Sequence, residues 1–308
     1  MQAEAARGIA PAPPRRRAPR RPGMLFLVPA FLVMAVFLFG PAVWALYISF
    51  TNMALTGPGA ASPQWIGADN FSHILRDPGF AKALQASLTY LVGSALIGQA
   101  VLGLLLALLM NKRHPTFKAV LGGIIVTAWV IPDIVAAFVW SAFLNGNDLT
   151  GQGLLNSIMH TFGLPQRAWL QQYPMASVIV ANIWRGTAFS MLLYASALQG
   201  ISPELYEAAS IDGAGGWSRL RYMTLPLIKG AIATDLLLIT LATLSDFTLV
   251  FVLTGGGPGF ATQLLTIYTY QQAFRFYALG YGTAISLLVL VVGGILSLLY
   301  LRILRVDL

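Results

Sequence analysis

Four charged residues sit inside long apolar runs of this chain: Asp133, Arg185, Asp235 and Asp246. A carboxylate or guanidinium in hydrocarbon costs about 2.5–3.5 kcal/mol on insertion scales. Such groups therefore face an internal cavity or pair with one another. Two have an aromatic neighbour: Trp184 precedes Arg185, and Phe247 follows Asp246. Ring faces beside polar groups suit a solute rich in hydroxyls, whose CH surfaces stack while its hydroxyls take hydrogen bonds. Asp133, Trp184, Arg185, Asp246 and Phe247 are thus the candidate path-lining set. The alternative is an interhelical ion pair or interfacial anchor that only holds a bundle together. Asp235 lies near the end of its run and is expected to snorkel or bond locally. Pro132 is expected to kink its helix and free backbone groups, which also fits a purely structural role for Asp133.

The segments that carry these residues are those of a membrane protein. The chain of 308 residues is 57% hydrophobic and 10% charged, with a mean hydropathy of +0.71. Soluble domains average about 25% charged residues. A bilayer disposes of that much apolar side chain. Apolar runs occur at about 24–50, 80–110, 119–144, 174–199, 228–253 and 277–301. Each is at least as long as the roughly 20 residues that a hydrocarbon core requires. The expected fold is all-α, with six transmembrane helices forming one domain over 24–308. Ser94, Gly98, Gly103 and Ala107 form small-xxx-small pairs that allow close helix approach in lipid. Trp44 and Trp140 read as interfacial belt residues rather than ligands. Residues 1–23 are rich in Pro, Ala and Arg, a composition expected to be disordered. The apolar run after them is too long for a signal-peptide core.

The longest polar interruption in the second half is 201–229, ISPELYEAASIDGAGGWSRLRYMTLPLIK. Ser202 can cap a short helix, with Pro203 at its first position and Glu204 behind. Leu205, Ala208 and Ala209 share one face of that helix. Asp212-Gly213 and Gly215-Gly216 break it, and a second short piece starts near Trp217. The spacing Glu207-Ala208-Ala209, three residues, Gly213, nine residues, Met223, one residue, Leu225-Pro226 resembles the EAA loop of binding-protein-dependent ABC importer permeases. The form Glu207 to Ala214 most resembles the carbohydrate permeases of the maltose/multiple-sugar type. Trp65 to Phe71, the aromatic Ser-Phe ending of the first run and the Thr254-Gly255-Gly256-Gly257-Pro258 turn are similar to features of the same permeases. Met223 stands where the family usually has Ile or Val, a mild departure, since Met fills the same apolar role.

The resemblance implies an ABC type I importer permease fold and transport of a sugar or related polyol. Glu207, Ala208, Ala209, Asp212, Gly213, Leu225 and Pro226 would form the coupling site for an ATPase. It further implies two ATP-binding subunits that use ATP and Mg, a second permease chain that is usually different, and an extracytoplasmic solute-binding protein. No cofactor and no metal are expected in this chain. Its own residues agree: it has no Gly-x-x-x-x-Gly-Lys-Ser/Thr phosphate cradle, and His73, His114 and His160 lie in different loops without metal-ligand spacing. With no cysteine, thiol chemistry is excluded. The net charge of +8 does not indicate nucleic acid, because the basic residues collect at segment ends. On the six-span reading, 14 of the 19 Lys and Arg fall on one side. That bias places both termini and the 201–229 loop in the cytoplasm, and the resemblance implies the inner membrane of a prokaryote. The alternatives are an ion-coupled secondary transporter working without an ATPase, and a membrane enzyme or structural protein. The single EAA loop and the lack of an inverted repeat weigh against the first. The missing catalytic sets weigh against the others.

Overall fold

The computed structural model describes residues 26–111, 113–146 and 153–303. The basic tail 1–23 lies outside them. By its internal contacts the chain divides into two units, Met1–Ala45 and Leu46–Leu308. The first contains most of helix α1 (Val28–Ser49), a single apolar run of 22 residues. From Phe26 to Trp44 every side chain is exposed, and most are large and apolar. Such a surface suits a hydrocarbon environment.

Among its described residues the regular structure of the second unit is helical, apart from one antiparallel bridge, Thr51–Trp65. Its main helices, in order, are α2 (Asp69–Arg76), α3 (Pro78–Asn111), α4 (Pro115–Val130), α5 (Asp133–Leu144), α6 (Leu154–Thr161), α7 (Pro174–Gln199), α8 (Pro203–Ile211), α9 (Gly216–Leu227), α10 (Lys229–Leu244), α11 (Thr248–Thr254), α12 (Leu265–Tyr270) and α13 (Leu279–Ile303), with single turns at Pro58–Ala61, Trp169–Gln172 and Gln271–Arg275. Helices α1, α3, α7 and α13 are each long and apolar enough to cross a membrane alone. The bent pairs α4–α5 and α9–α10 raise the number to six if each is one span.

Helix α3 lies along α7 at close range. A Cβ added at Gly98 would come within 2.2 Å of Ile183 Cγ1. The absence of a side chain there lets the two backbones approach, as the small-residue spacing anticipates. Leu91–Gln99 is a widened π-type stretch within α3, a feature that often marks functional positions in a helix. It turns Ser94 and Gln99 into the interior, where both are buried.

Two breaks shape the rest of the bundle. The run 119–144 divides at Ile131-Pro132, and its halves meet at 101°. Ile131 is extended (ψ 129°) because the proline ring after it disfavours the helical region. The run 228–253 divides at Ser245–Phe247, where Phe247 takes φ −124° and α11 restarts at Thr248. A further bend of 69° separates α9 from α10, two residues after Pro226 removes a donor from the ladder.

Candidate functional site

The break between α10 and α11 opens onto a cavity of about 490 Å³. Its wall includes Asp133, Arg185, Asp246 and Phe247, together with Gln99, Trp129, Asn182, Phe189, Thr243 and Thr248. Each element supplies its residues for a local reason. Asp133 is the first residue of α5, directly after the Pro132 corner. Asn182, Arg185 and Phe189 follow the helical repeat along one face of α7. Ser245, Asp246 and Phe247 reach the wall from the break between the two helices, and Thr248 from the first position of α11. Unwound backbone inside a bundle is tolerated where it lines such a cavity.

The polar groups are cross-tied. Arg185 Nε lies 3.1 Å from Asp133 Oδ1, linking α7 to α5. The Tyr90 hydroxyl donates to Asp246 Oδ2 at 2.6 Å, and the Thr266 hydroxyl donates to the Asp246 carbonyl at 2.6 Å. Asn182 Nδ2 donates to Ser94 Oγ at 2.8 Å, and Gln99 Nε2 donates to the Asn182 carbonyl at 3.2 Å. Trp129 and Phe189 bring ring faces into the same space, 6.0 Å apart. The arrangement offers hydrogen-bond donors, acceptors and ring faces within a volume typical of small-solute sites.

Four of the five path candidates therefore meet at one cavity. Trp184 does not. It lies one residue before Arg185 and turns to another face of α7, where its ring meets Trp140 edge-on at 5.9 Å. The pairing of Arg185 with Asp133 means that the ion-pair alternative describes part of the same geometry. Asp235 departs from the expectation that it snorkels. It is fully buried, and the Tyr194 hydroxyl of α7 donates to its Oδ2 at 2.6 Å. Asp235 is therefore a tie between α7 and α10 within the bundle.

The loop 201–229 is an exposed corner. Helix α8 carries Glu207, Ala208 and Ala209, and α9 follows after Asp212–Gly215. Gly213 holds φ +76° with nothing within 4 Å of an added Cβ, so the backbone conformation alone requires glycine there. Ser202 precedes α8 but makes no capping hydrogen bond to its backbone; its hydroxyl instead donates to the Glu204 carboxylate at 2.9 Å. Arg219 Nη1 donates to Ser210 Oγ at 2.7 Å, and Tyr206 and Thr224 hydroxyls meet at 3.2 Å, which ties α9 back to α8. Glu207, Ala208, Asp212 and Pro226 are exposed, while Ala209 and Leu225 are half-buried. Ile211 and Trp217 project almost bare, at 87% and 72% exposure. Large apolar side chains on a corner outside the apolar runs mark a contact surface.

Residues 99–305 match the family described as binding-protein-dependent transport system inner membrane component. The chain belongs to that family. It is 32% identical over 286 residues to the trehalose/maltose transport system permease protein MalF of Thermococcus litoralis, covering 91% of this chain and 92% of that one. It is 30% identical to the sulfoquinovosyl glycerol transport system permease protein SmoG of Agrobacterium fabrum, covering 92% and 90%. Among solved structures it resembles a chain of a bacterial ABC transporter involved in the import of alginate, with a TM-score of 0.77, 25% identity, and 92% and 94% of the chains covered. The fold is thus that of an ABC importer permease, and the protein is a membrane component that works with a binding protein. Membership sets aside the ion-coupled transporter reading.

Within this importer permease, the signature Trp65–Phe71 has a visible task. Asn70 Nδ2 donates to the carbonyls of Ser49 and Thr51 at 2.8 and 2.9 Å, and Trp65 stacks on Phe50 at 5.3 Å. The Thr254–Pro258 turn ends α11 with Gly255 in the left-handed region, and Thr262 ties it down through the Gly257 carbonyl at 2.9 Å. Sequence reasoning missed Gln99, Asn182, Ser94 and Tyr90. Their one sequence signal was polarity inside an apolar run.

Proposed function

We propose that this chain is the membrane-spanning subunit that carries a sugar or related polyol inward across the cytoplasmic membrane of a prokaryote. ATP is hydrolysed, with Mg, on two partner subunits that grip the exposed corner formed by α8 and α9. Glu207, Ala208, Ala209, Asp212, Gly213, Leu225 and Pro226 shape that corner. A second, different permease chain completes the path, and an extracytoplasmic binding protein delivers the solute. Both termini lie in the cytoplasm.

The observation that carries the reading is the cavity at the α10–α11 break, where unwound backbone, Asp246, Asn182 and two aromatic rings converge. Donors, acceptors and ring faces in a space of about 490 Å³ suit a polyol. The named roles of the two relatives, trehalose/maltose and sulfoquinovosyl glycerol transport, point to the same solute class. Arg185 and Asp133 pair with each other, so those two charges are matched without a solute.

The test is uptake into proteoliposomes that contain the whole importer with its binding protein. Labelled di- and trisaccharides should accumulate only with ATP inside and all subunits present. Accumulation driven by an ion gradient without the ATPases would overturn the proposal. So would transport restricted to amino acids or peptides.

A further inference from the structure

A second hollow of about 480 Å³ lies beside the first turns of α7, and the solute path does not use it. Trp140, Phe143, Arg167, Trp169, Tyr173 and Val180 contribute to its wall. At about 100° per residue, Val180 lies on the side of α7 opposite Asn182 and Phe189. Those two line the solute cavity. The hollow therefore faces away from the path, and Val180 is half-exposed in it.

Its floor and walls are largely aliphatic and aromatic, and its rim carries one cation. Arg167 is exposed, and its Nη1 donates to the Tyr173 hydroxyl at 2.8 Å while the guanidinium lies 5.6 Å from the Tyr173 ring centre. No carboxylate among the described residues pairs with it. A guanidinium has five N–H donors in a planar fork, and among the described residues the Tyr173 hydroxyl is the side-chain acceptor for one of them.

The rim is also held firmly. Asn156, only 2% exposed, accepts from Trp169 Nε1 at 2.9 Å and from the Arg167 backbone N–H at 3.1 Å. It also donates to the Arg167 carbonyl at 2.9 Å. One buried amide thus fixes the place of both the cation and the aromatic collar.

An apolar trough with a fixed guanidinium at its mouth, set in an aromatic collar at the end of a membrane helix, matches the two ends of a phospholipid. We propose that this hollow holds one phospholipid, with an acyl chain along Val180 and the phosphate on the Arg167 fork. Arginine binds phosphate through paired, charge-assisted hydrogen bonds. Aromatic residues at this level suit the headgroup boundary. A sugar in transit is not the occupant, because α7 stands between the hollow and the path. The orientation proposed above would put this lipid in the outer leaflet; the binding itself does not depend on that orientation.

The test uses the complete purified importer in a nonionic detergent, stripped of lipid and studied by native mass spectrometry. Phosphatidylglycerol should add as one tightly held copy. Diacylglycerol with the same chains should bind about tenfold more weakly, the worth of one charge-assisted contact. Inorganic phosphate at millimolar levels should not displace the lipid. Arg167→Gln, which keeps a donor for Tyr173, should weaken phosphatidylglycerol about tenfold, and Arg167→Lys should recover only part of the loss, because it restores the charge but not the paired fork. An unchanged melting temperature for Arg167→Gln before lipid is added shows that the loss is one of binding. Equal lipid binding by Arg167→Gln, equal binding of diacylglycerol, or displacement by phosphate alone would each overturn the proposal. A photocrosslinker at Val180 that captures a protein subunit in native membranes instead of lipid would overturn it too.

Discussion

Tyr90 donates a 2.6 Å hydrogen bond to the carboxylate of Asp246 across 156 positions of chain. The bond joins the middle of α3 to the break between α10 and α11, so this hydroxyl and that of Thr266 together pin the cavity wall at Asp246. Tyr90→Phe should leave the buried carboxylate without that donor, at a cost of about 1 kcal/mol of complex stability. Uptake should fall several-fold, because the break loses its fixed position. Asp246→Asn keeps an acceptor for Tyr90 but removes the charge, so assembly should survive while solute affinity changes. Unchanged uptake with unchanged assembly in Asp246→Asn would remove Asp246 from the path.

The pair of Arg185 and Asp133 makes a second prediction. Each group is partly exposed to the cavity, at 23% and 42% for the side chains. Removing one partner leaves a lone, partly buried charge in the cavity wall. Arg185→Gln and Asp133→Asn should each reduce uptake and the amount of folded complex, and the double substitution should recover part of the loss. The expected coupling lies between about 0.5 and 3 kcal/mol. Strictly additive effects in a double-mutant cycle would mean that the contact contributes nothing.

Gly213 and Gly215 form an internal comparison. Neither would meet an atom within 4 Å if a Cβ were added, but Gly213 holds φ +76° and Gly215 holds φ −67°. Gly213→Val should therefore strain the corner by about 1–3 kcal/mol, whereas Gly215→Ala should be nearly neutral. The measurement is the ATPase rate stimulated by loaded binding protein, set against uptake in the same vesicles. Gly213→Val should lower uptake per ATP or prevent assembly. Normal coupled uptake in that variant would show that the turn is not needed for docking.

How much of this was legible beforehand depended on the kind of residue. Asp133, Arg185 and Asp246 stood out because charges are rare in apolar runs. Gln99, Asn182 and Ser94 did not, because an uncharged polar residue in a long span resembles many that merely bond their own backbone. The break at Ser245–Phe247 was hidden because hydrophobicity continues through Leu249–Leu253 after it, so a hydropathy window sees one run. Trp184 was separable in principle. At about 100° per residue Trp184 lies roughly 160° round α7 from Asn182, so it turns away from the face that Asn182, Arg185 and Phe189 present to the cavity. Asp246 and Phe247 can share it because the helix is interrupted there. Asp235 was misjudged from its position along the run, which says nothing of the Tyr194 hydroxyl facing it from α7.

The last prediction concerns pH, at the opposite end of the bundle from the coupling corner. Asp77 caps α3 by accepting from the Gly79 backbone N–H at 2.8 Å. It also accepts from the hydroxyls of Tyr268 and of Tyr281, the latter at 2.6 Å. Partial burial pushes its carboxyl up, but the two hydroxyls and the backbone N–H groups of Gly79 and Phe80 outweigh that and hold it below its ordinary 3.8. A carboxylate depressed in the folded state contributes stability that is present above its unfolded pKa and lost as the pH falls through the folded one. The cluster should therefore contribute fully at neutral pH and fade only below about pH 4. Tyr281→Phe should lower the melting temperature of the purified complex at pH 7, and the gap from wild type should close as the pH falls below that point. A gap that stays constant down to pH 3 would show that Tyr281 acts by packing, through its contact with His73 at 4.8 Å, and not through the Asp77 carboxylate.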